Sequence, residues 1–133
     1  MFLGSYRPSF DPKTRRIALP KKIRDYVQTN DIILSLGFEK CIFGFDTKAW
    51  EDQSTKQLEV PITDRKARDL RRFMFSAAEY IRFDDQGRIV IPPSLYQYAK
   101  IRQPIIVGAG DHFEIWDEKI WASKKQEIEG EIL

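Results

Sequence analysis

Apolar residues fall in short runs separated by polar turn residues, a pattern that predicts many short strands rather than a few long helices. A strand over about 2–7 leads into Phe10-Asp11-Pro12-Lys13-Thr14, and a second over about 15–19 leaves it. Two more follow at Ile32–Leu36 and Cys41–Phe45. The second half reads the same way, with strands over about 78–83 and 87–91, then Ile105–Ala109 and Phe113–Trp116. Helical spacing is confined to fewer places. Pro20 and Pro92 end strands and can open short helices, in which Ile23 with Val27 and Leu95 with Ala99 form narrow apolar stripes. Asp46 and Asp117 stand where an N-cap belongs, ahead of helices carrying Trp50 and Trp121. Between the halves, Pro61 and Thr63 open a helix with Ala67, Leu70 and Met74 on one face and Arg65, Lys66, Arg68, Arg71 and Arg72 on the other.

The likeness of the halves extends to residue strings. Phe10-Asp11-Pro12-Lys13-Thr14-Arg15-Arg16-Ile17-Ala18-Leu19-Pro20 matches Phe83-Asp84-Asp85-Gln86-Gly87-Arg88-Ile89-Val90-Ile91-Pro92, with one extra residue in the first copy. Phe45-Asp46-Thr47-Lys48-Ala49-Trp50 matches Trp116-Asp117-Glu118-Lys119-Ile120-Trp121 at a spacing of 71 residues, and the two prolines are 72 apart. Two matches in one order at nearly one spacing mark a tandem duplication. The expected organisation is a first repeat over 5–50, a helical connector over 51–76, a second repeat over 77–121 and an acidic, frayed tail over 122–133. The expected fold class is mainly β, of the α+β kind.

Charge sharpens this picture through its distribution, since the net value is only +2. Seven basic residues face one acid between Arg7 and Arg24, and six face two between Arg65 and Arg82. From Asp111 onward seven acids outnumber three lysines. The single cysteine, Cys41, excludes an intramolecular disulfide and sits in an apolar run as a small hydrophobe. With one histidine, His112, most zinc-site spacings are excluded as well, and no cofactor is implied. The N-terminus shows no signal-peptide pattern and no apolar run approaches about 18 residues. A cytoplasmic protein with no membrane partner is expected.

The sequence offers little for catalysis. No Ser or Cys stands in a strained glycine-flanked turn. Gly108-Ala109-Gly110 lacks the third glycine and following helix of a dinucleotide loop, and no Lys-Ser or Lys-Thr follows it. Neither an enzyme nor a small-molecule substrate is expected. The Asp turns are more informative. Asp11 with Arg15, and Asp84 with Arg88, lie four apart, so each carboxylate can accept the guanidinium or cap the turn's amides. Such a pair could simply close a hairpin. The surrounding Lys13, Arg16, Lys21, Lys22 and Arg24 favour a polyanionic partner instead, because uncompensated positive charge repels itself.

Taken together, these strings resemble the MraZ family of bacterial transcriptional regulators, built from two SpoVT-AbrB-like repeats. The resemblance runs from Met1-Phe2-Leu3-Gly4-Ser5-Tyr6 through Asp11-Pro12-Lys13-Thr14-Arg15, Pro61-Ile62-Thr63-Asp64 and Ser76-Ala77-Ala78-Glu79. It ends in Asp84-Asp85-Gln86-Gly87-Arg88-Ile89-Val90-Ile91-Pro92-Pro93 and Phe113-Glu114-Ile115-Trp116-Asp117. It implies an intertwined, swapped-hairpin small β-barrel with short helices, assembly into a ring-like homo-oligomer, and binding to short direct repeats in promoter DNA upstream of the division and cell-wall genes. Family DNA binding maps onto the Asp-turn-Arg motif, hence onto Arg15 and Arg88, with Lys13 beside the first. Asp11, Asp84 and Gly87 would set the turns. The first copy departs from the family pattern, with Thr14 in place of a glycine. Counting from Asp11 makes Arg15 the matching arginine, and counting back from Pro20 makes it Arg16. Lys21, Lys22 and Arg24 would add salt-sensitive attraction. The expected function is sequence-specific double-stranded DNA binding that represses transcription on the nucleoid; a scaffold ring or a non-specific architectural protein is the alternative.

Overall fold

The computed structural model describes residues 1–133. Nine short strands and five helices alternate along the chain. The first half runs β1 (Ser5–Tyr6), β2 (Phe10–Asp11), β3 (Arg16–Ala18), α1 (Lys21–Tyr26), β4 (Asp31–Leu36), β5 (Ile42–Phe45) and α2 (Thr47–Glu59). After α3 (Arg65–Ala77) the second half repeats it as β6 (Glu79–Arg82), β7 (Arg88–Val90), α4 (Pro93–Ala99), β8 (Pro104–Gly108), β9 (Phe113–Asp117) and α5 (Glu118–Ile132). The expected strand over 2–7 is interrupted at Gly4, whose φ of 86° leaves the extended region and separates a bridge at Phe2 from β1. The tail expected to fray instead completes α5, which Asp117 caps through the Lys119 and Ile120 amides.

The strands form two antiparallel sheets, one of six in the order β1-β8-β9-β5-β4-β6 and one of three in the order β2-β3-β7. This is an α+β fold without a closed barrel. Closure requires the edge strands to pair, and β1 and β6 lie at opposite edges of the larger sheet. The two halves are nevertheless interleaved. The opening strand of each pairs with the last strand but one of the other, β1 with β8 and β6 with β4.

A pseudo-two-fold axis runs through both sheets. In the larger one it passes between β5 and β9, where Phe43 faces Glu114, with Ile42–Ile115 and Gly44–Phe113 on either side. Gly44 leaves room for the fully buried Phe113 ring, since a Cβ there would lie 2.2 Å from its Cζ. One face of the six-stranded sheet packs a core of sixteen buried residues, shared with the smaller sheet, α1 and α4, which includes Ile17, Ile89, Ile23 and Leu95. On the other face, Trp50 of α2 and Met74 of α3 pack on Ile33 and Phe45 in a second, smaller core. Cys41 is fully buried, its thiol pushed far up by burial, with Sγ donating to the Phe38 carbonyl at 3.1 Å.

Candidate nucleic-acid interface

The axis through the smaller sheet passes between β3 and β7. Ile17 faces Ile89, flanked by Arg16 opposite Val90 and Arg88 opposite Ala18. Alternation buries Ile17 and Ile89 and turns the other face of the ribbon outward, with Arg16 and Val90 exposed and Ala18 and Arg88 half-buried. Arg16 and Arg88 line one open hollow with Ser9, Phe10 and Asp11. The register therefore makes Arg16, not Arg15, the counterpart of Arg88. Counting back from Pro20 gives the right alignment, and the extra residue lies in the turn.

Arg15 takes the place of Gly87. Both are left-handed, with φ of 60° and 75°, and their carbonyls accept equivalent bonds from Ile91 N (3.0 Å) and Leu19 N (3.1 Å). A non-glycine residue is uncommon there. It is held in place by the Arg15 Nε donating to the Ile91 carbonyl at 3.0 Å.

The two Asp turns differ for the same reason. Asp84 accepts from the Gln86 and Arg88 amides (2.8 and 2.9 Å) and from Arg88 Nε (2.8 Å). The Arg88 amide above all, with its guanidinium and the Gln86 amide, holds the Asp84 carboxyl below the ordinary range. Asp11 accepts from the Lys13 amide (2.9 Å) and the Thr14 hydroxyl (3.1 Å) and forms no ion pair with Arg15 or Arg16. Of the two roles open to each aspartate, Asp11 takes only the amide-capping one and Asp84 takes both.

Around this ribbon Lys13 is exposed on the first turn, and Lys21 and Lys22 are exposed on α1, Lys21 beside Asp25 at 3.8 Å. Arg24 reaches back across the second turn. Its Nε donates to the Leu19 carbonyl at 3.0 Å, and its side chain lies over the buried Gly87, where a Cβ would come within 2.7 Å. None of the chain's ion pairs involves Arg15, Arg16 or Arg24. The outward face thus carries Arg16, in no ion pair, and Arg88, while Arg15 and Arg24, also in no ion pair, sit at the strand ends, Arg24 lining a hollow with Asp25, Asp84 and Asp85. No group of His, Cys, Asp or Glu could hold a metal ion, and no helix is long and apolar enough to cross a membrane.

Sequence reasoning missed one cluster. His112, between β8 and β9, lies 2.8 Å from both Asp111 Oδ1 and Glu114 Oε2 and packs its ring on Phe43 and Phe45. Burial works against its protonation, but the two carboxylates prevail and raise its pKa. Only the Asp-His-x-Glu spacing could have signalled it.

Fold and site define a duplicated α+β protein that presents an arginine-bearing β-ribbon at the axis between its repeats. The family model described as "MraZ protein, putative antitoxin-like" matches residues 1–73 and again 74–131. The chain is 38% identical over 122 residues to the "Transcriptional regulator MraZ" of Roseiflexus sp. (strain RS-1), covering 91% of this chain and 84% of that one. It is 37% identical to the proteins of the same name from Limosilactobacillus fermentum, covering 92% and 85%, and Ligilactobacillus salivarius, covering 97% and 90%. The chain belongs to the MraZ family.

Proposed function

We propose that this chain is a sequence-specific double-stranded DNA-binding regulator that represses the division and cell-wall genes from short direct repeats upstream. One observation carries the reading. Arg16 and Arg88 stand on the outer face of β3 and β7, adjacent strands of the three-stranded sheet, related by a pseudo-two-fold axis. A major groove admits a pair of strands such as β3 and β7, and arginine is the side chain that most often reads guanine there. Lys13, Lys21 and Lys22 supply attraction to phosphates around it. The interleaved strands support a swapped-hairpin arrangement of two SpoVT-AbrB-like repeats, over 5–50 and 77–121. The reading implies a cytoplasmic, nucleoid-associated protein.

Self-association into a ring belongs to the same proposal. The end of α2 and the turn after it expose Leu58, Val60 and Ile62, ahead of the cations Arg65 and Lys66 that open α3, while the end of α5 exposes Ile132 and Leu133 beside Glu131. These surfaces are complementary and distinct, and such head-to-tail contacts close into rings. The function is tested by titrating the chain against its own upstream DNA and against a shuffled duplex of equal length. Preference for the upstream duplex, with log affinity falling steeply in log salt, is expected. Equal binding to both would favour an architectural role, and affinity indifferent to salt would remove the electrostatic argument.

A further inference from the structure

The arginines around β3 and β7 form an inner and an outer pair about one axis. Arg16 and Arg88 are the inner pair. The outer positions are defined by Leu19 and Ile91, which end the two ribbon strands at equivalent places, each amide donating to the left-handed residue of the other repeat. Their carbonyls are also used alike. Leu19 O accepts from Arg24 Nε at 3.0 Å, and Ile91 O accepts from Arg15 Nε at 3.0 Å. Each end of the ribbon therefore holds one guanidinium at an equivalent carbonyl.

These guanidinium groups come from positions that do not correspond in sequence. The counterpart of Arg15 is Gly87, whose missing side chain leaves the space that Arg24 fills. The counterpart of Arg24 is Tyr96, whose ring lies 6.1 Å from that of Phe10. What the repeats lost as a residue match they keep as a matched pair of charges. Both groups are fixed through Nε alone. Their Nη atoms make no hydrogen bond to the protein, and neither has a carboxylate partner. A guanidinium anchored by one edge with its terminal donors free is already oriented for a phosphate.

We infer that Arg15 and Arg24 are a pseudo-symmetric pair of phosphate clamps for duplex DNA seated on the ribbon, gripping its two backbones on either side of Arg16 and Arg88. This rests on the ribbon being the DNA-contacting element. The two-fold of the ribbon then coincides with that of the duplex, so the outer pair meets opposite strands. Clamps of this kind strengthen binding without reading bases.

The test uses the full chain carrying Arg15→Gly or Arg24→Met. The first restores the glycine of the equivalent turn, and the second keeps apolar cover over Gly87. Affinity for the upstream duplex and for the shuffled one is measured by fluorescence anisotropy across a salt series. Each variant is expected to bind both duplexes several-fold more weakly with their ratio unchanged, and to lower the salt slope by about one. Arg15→Lys and Arg24→Lys, which keep the charge, are expected to hold the slope near the parent's and serve if the first variants melt early. Unchanged affinity and slope in Arg15→Gly and Arg24→Met, while Arg16→Ala and Arg88→Ala abolish preference, would overturn the clamps and leave the ribbon reading standing. Loss of the ratio in Arg15→Gly or Arg24→Met would make the outer pair base readers and overturn the inference too. Arg16→Ala and Arg88→Ala without effect would sink the ribbon reading itself, and the clamps with it.

Discussion

Arg15 and Gly87 occupy the same place in their respective turns, both in the left-handed region and each with its carbonyl bound to an amide of the other repeat. For an L-residue that conformation costs roughly 1–2 kcal/mol. Arg15 recovers part of it through a hydrogen bond to Ile91 O worth about 1 kcal/mol. Arg15→Gly should therefore leave stability within about 1 kcal/mol of the parent, because the two changes oppose each other. Urea unfolding measures this, and a loss well beyond that range would show that the hydrogen bond dominates.

Gly87→Ala has no such compensation. The new Cβ meets the Arg24 side chain at 2.7 Å in a backbone conformation that disfavours it. A loss of about 1–2 kcal/mol is expected, together with weaker DNA binding as Arg24 is displaced. A variant as stable as the parent would show that the turn relaxes freely.

Arg88→Ala should separate reading from folding. Its ion pair with Asp84 is exposed, so the variant should melt within a few degrees of the parent and keep its oligomeric state. At the upstream duplex it should lose about 1–3 kcal/mol and much of its preference over shuffled DNA. A large drop in melting temperature would instead identify the Asp84–Arg88 pair as a hairpin closure.

Gly44→Ala drives a methyl group into the Phe113 ring at the axis of the larger sheet. Overpacking at such a site costs about 1–3 kcal/mol, and thermal unfolding should show it. The paired variant Gly44→Ala with Phe113→Leu should recover part of that loss if the collision is its cause.

His112 makes stability depend on pH on the alkaline side. Its folded pKa lies above the ordinary 6.5, so its contribution is fully present below that value and is lost as pH rises through the raised one. Asp84 acts in the opposite sense. Its lowered pKa gives stability that is present above the ordinary 3.8 and lost as pH falls through the folded value. Urea unfolding across pH should show a decline as pH rises above 6.5 that His112→Gln removes, leaving the acid limb unchanged. An alkaline decline of the same size in His112→Gln would assign it to other groups.

The duplication, the α+β class, the short helices after Pro20 and Pro92 and the aspartate caps were legible in the sequence, because each rests on neighbours within a few residues. Asp46 and Asp117 cap α2 and α5 by local hydrogen bonds, and Ile17 and Ile89 alternate with arginines by the period of a strand. What lay between distant residues was not legible. Counting along the chain left Arg15 and Arg16 as equal candidates, since an inserted residue can be placed on either side of an arginine. Cross-strand register decided it, by setting Ile17 against Ile89 and so Arg16 in the place of Arg88. The same register put Arg15 opposite Ile91, brought Arg24 over Gly87 and left the larger sheet open where a barrel was expected. A local pattern fixes which face a side chain takes, but hydrogen bonding between strands far apart in sequence fixes what stands beside it.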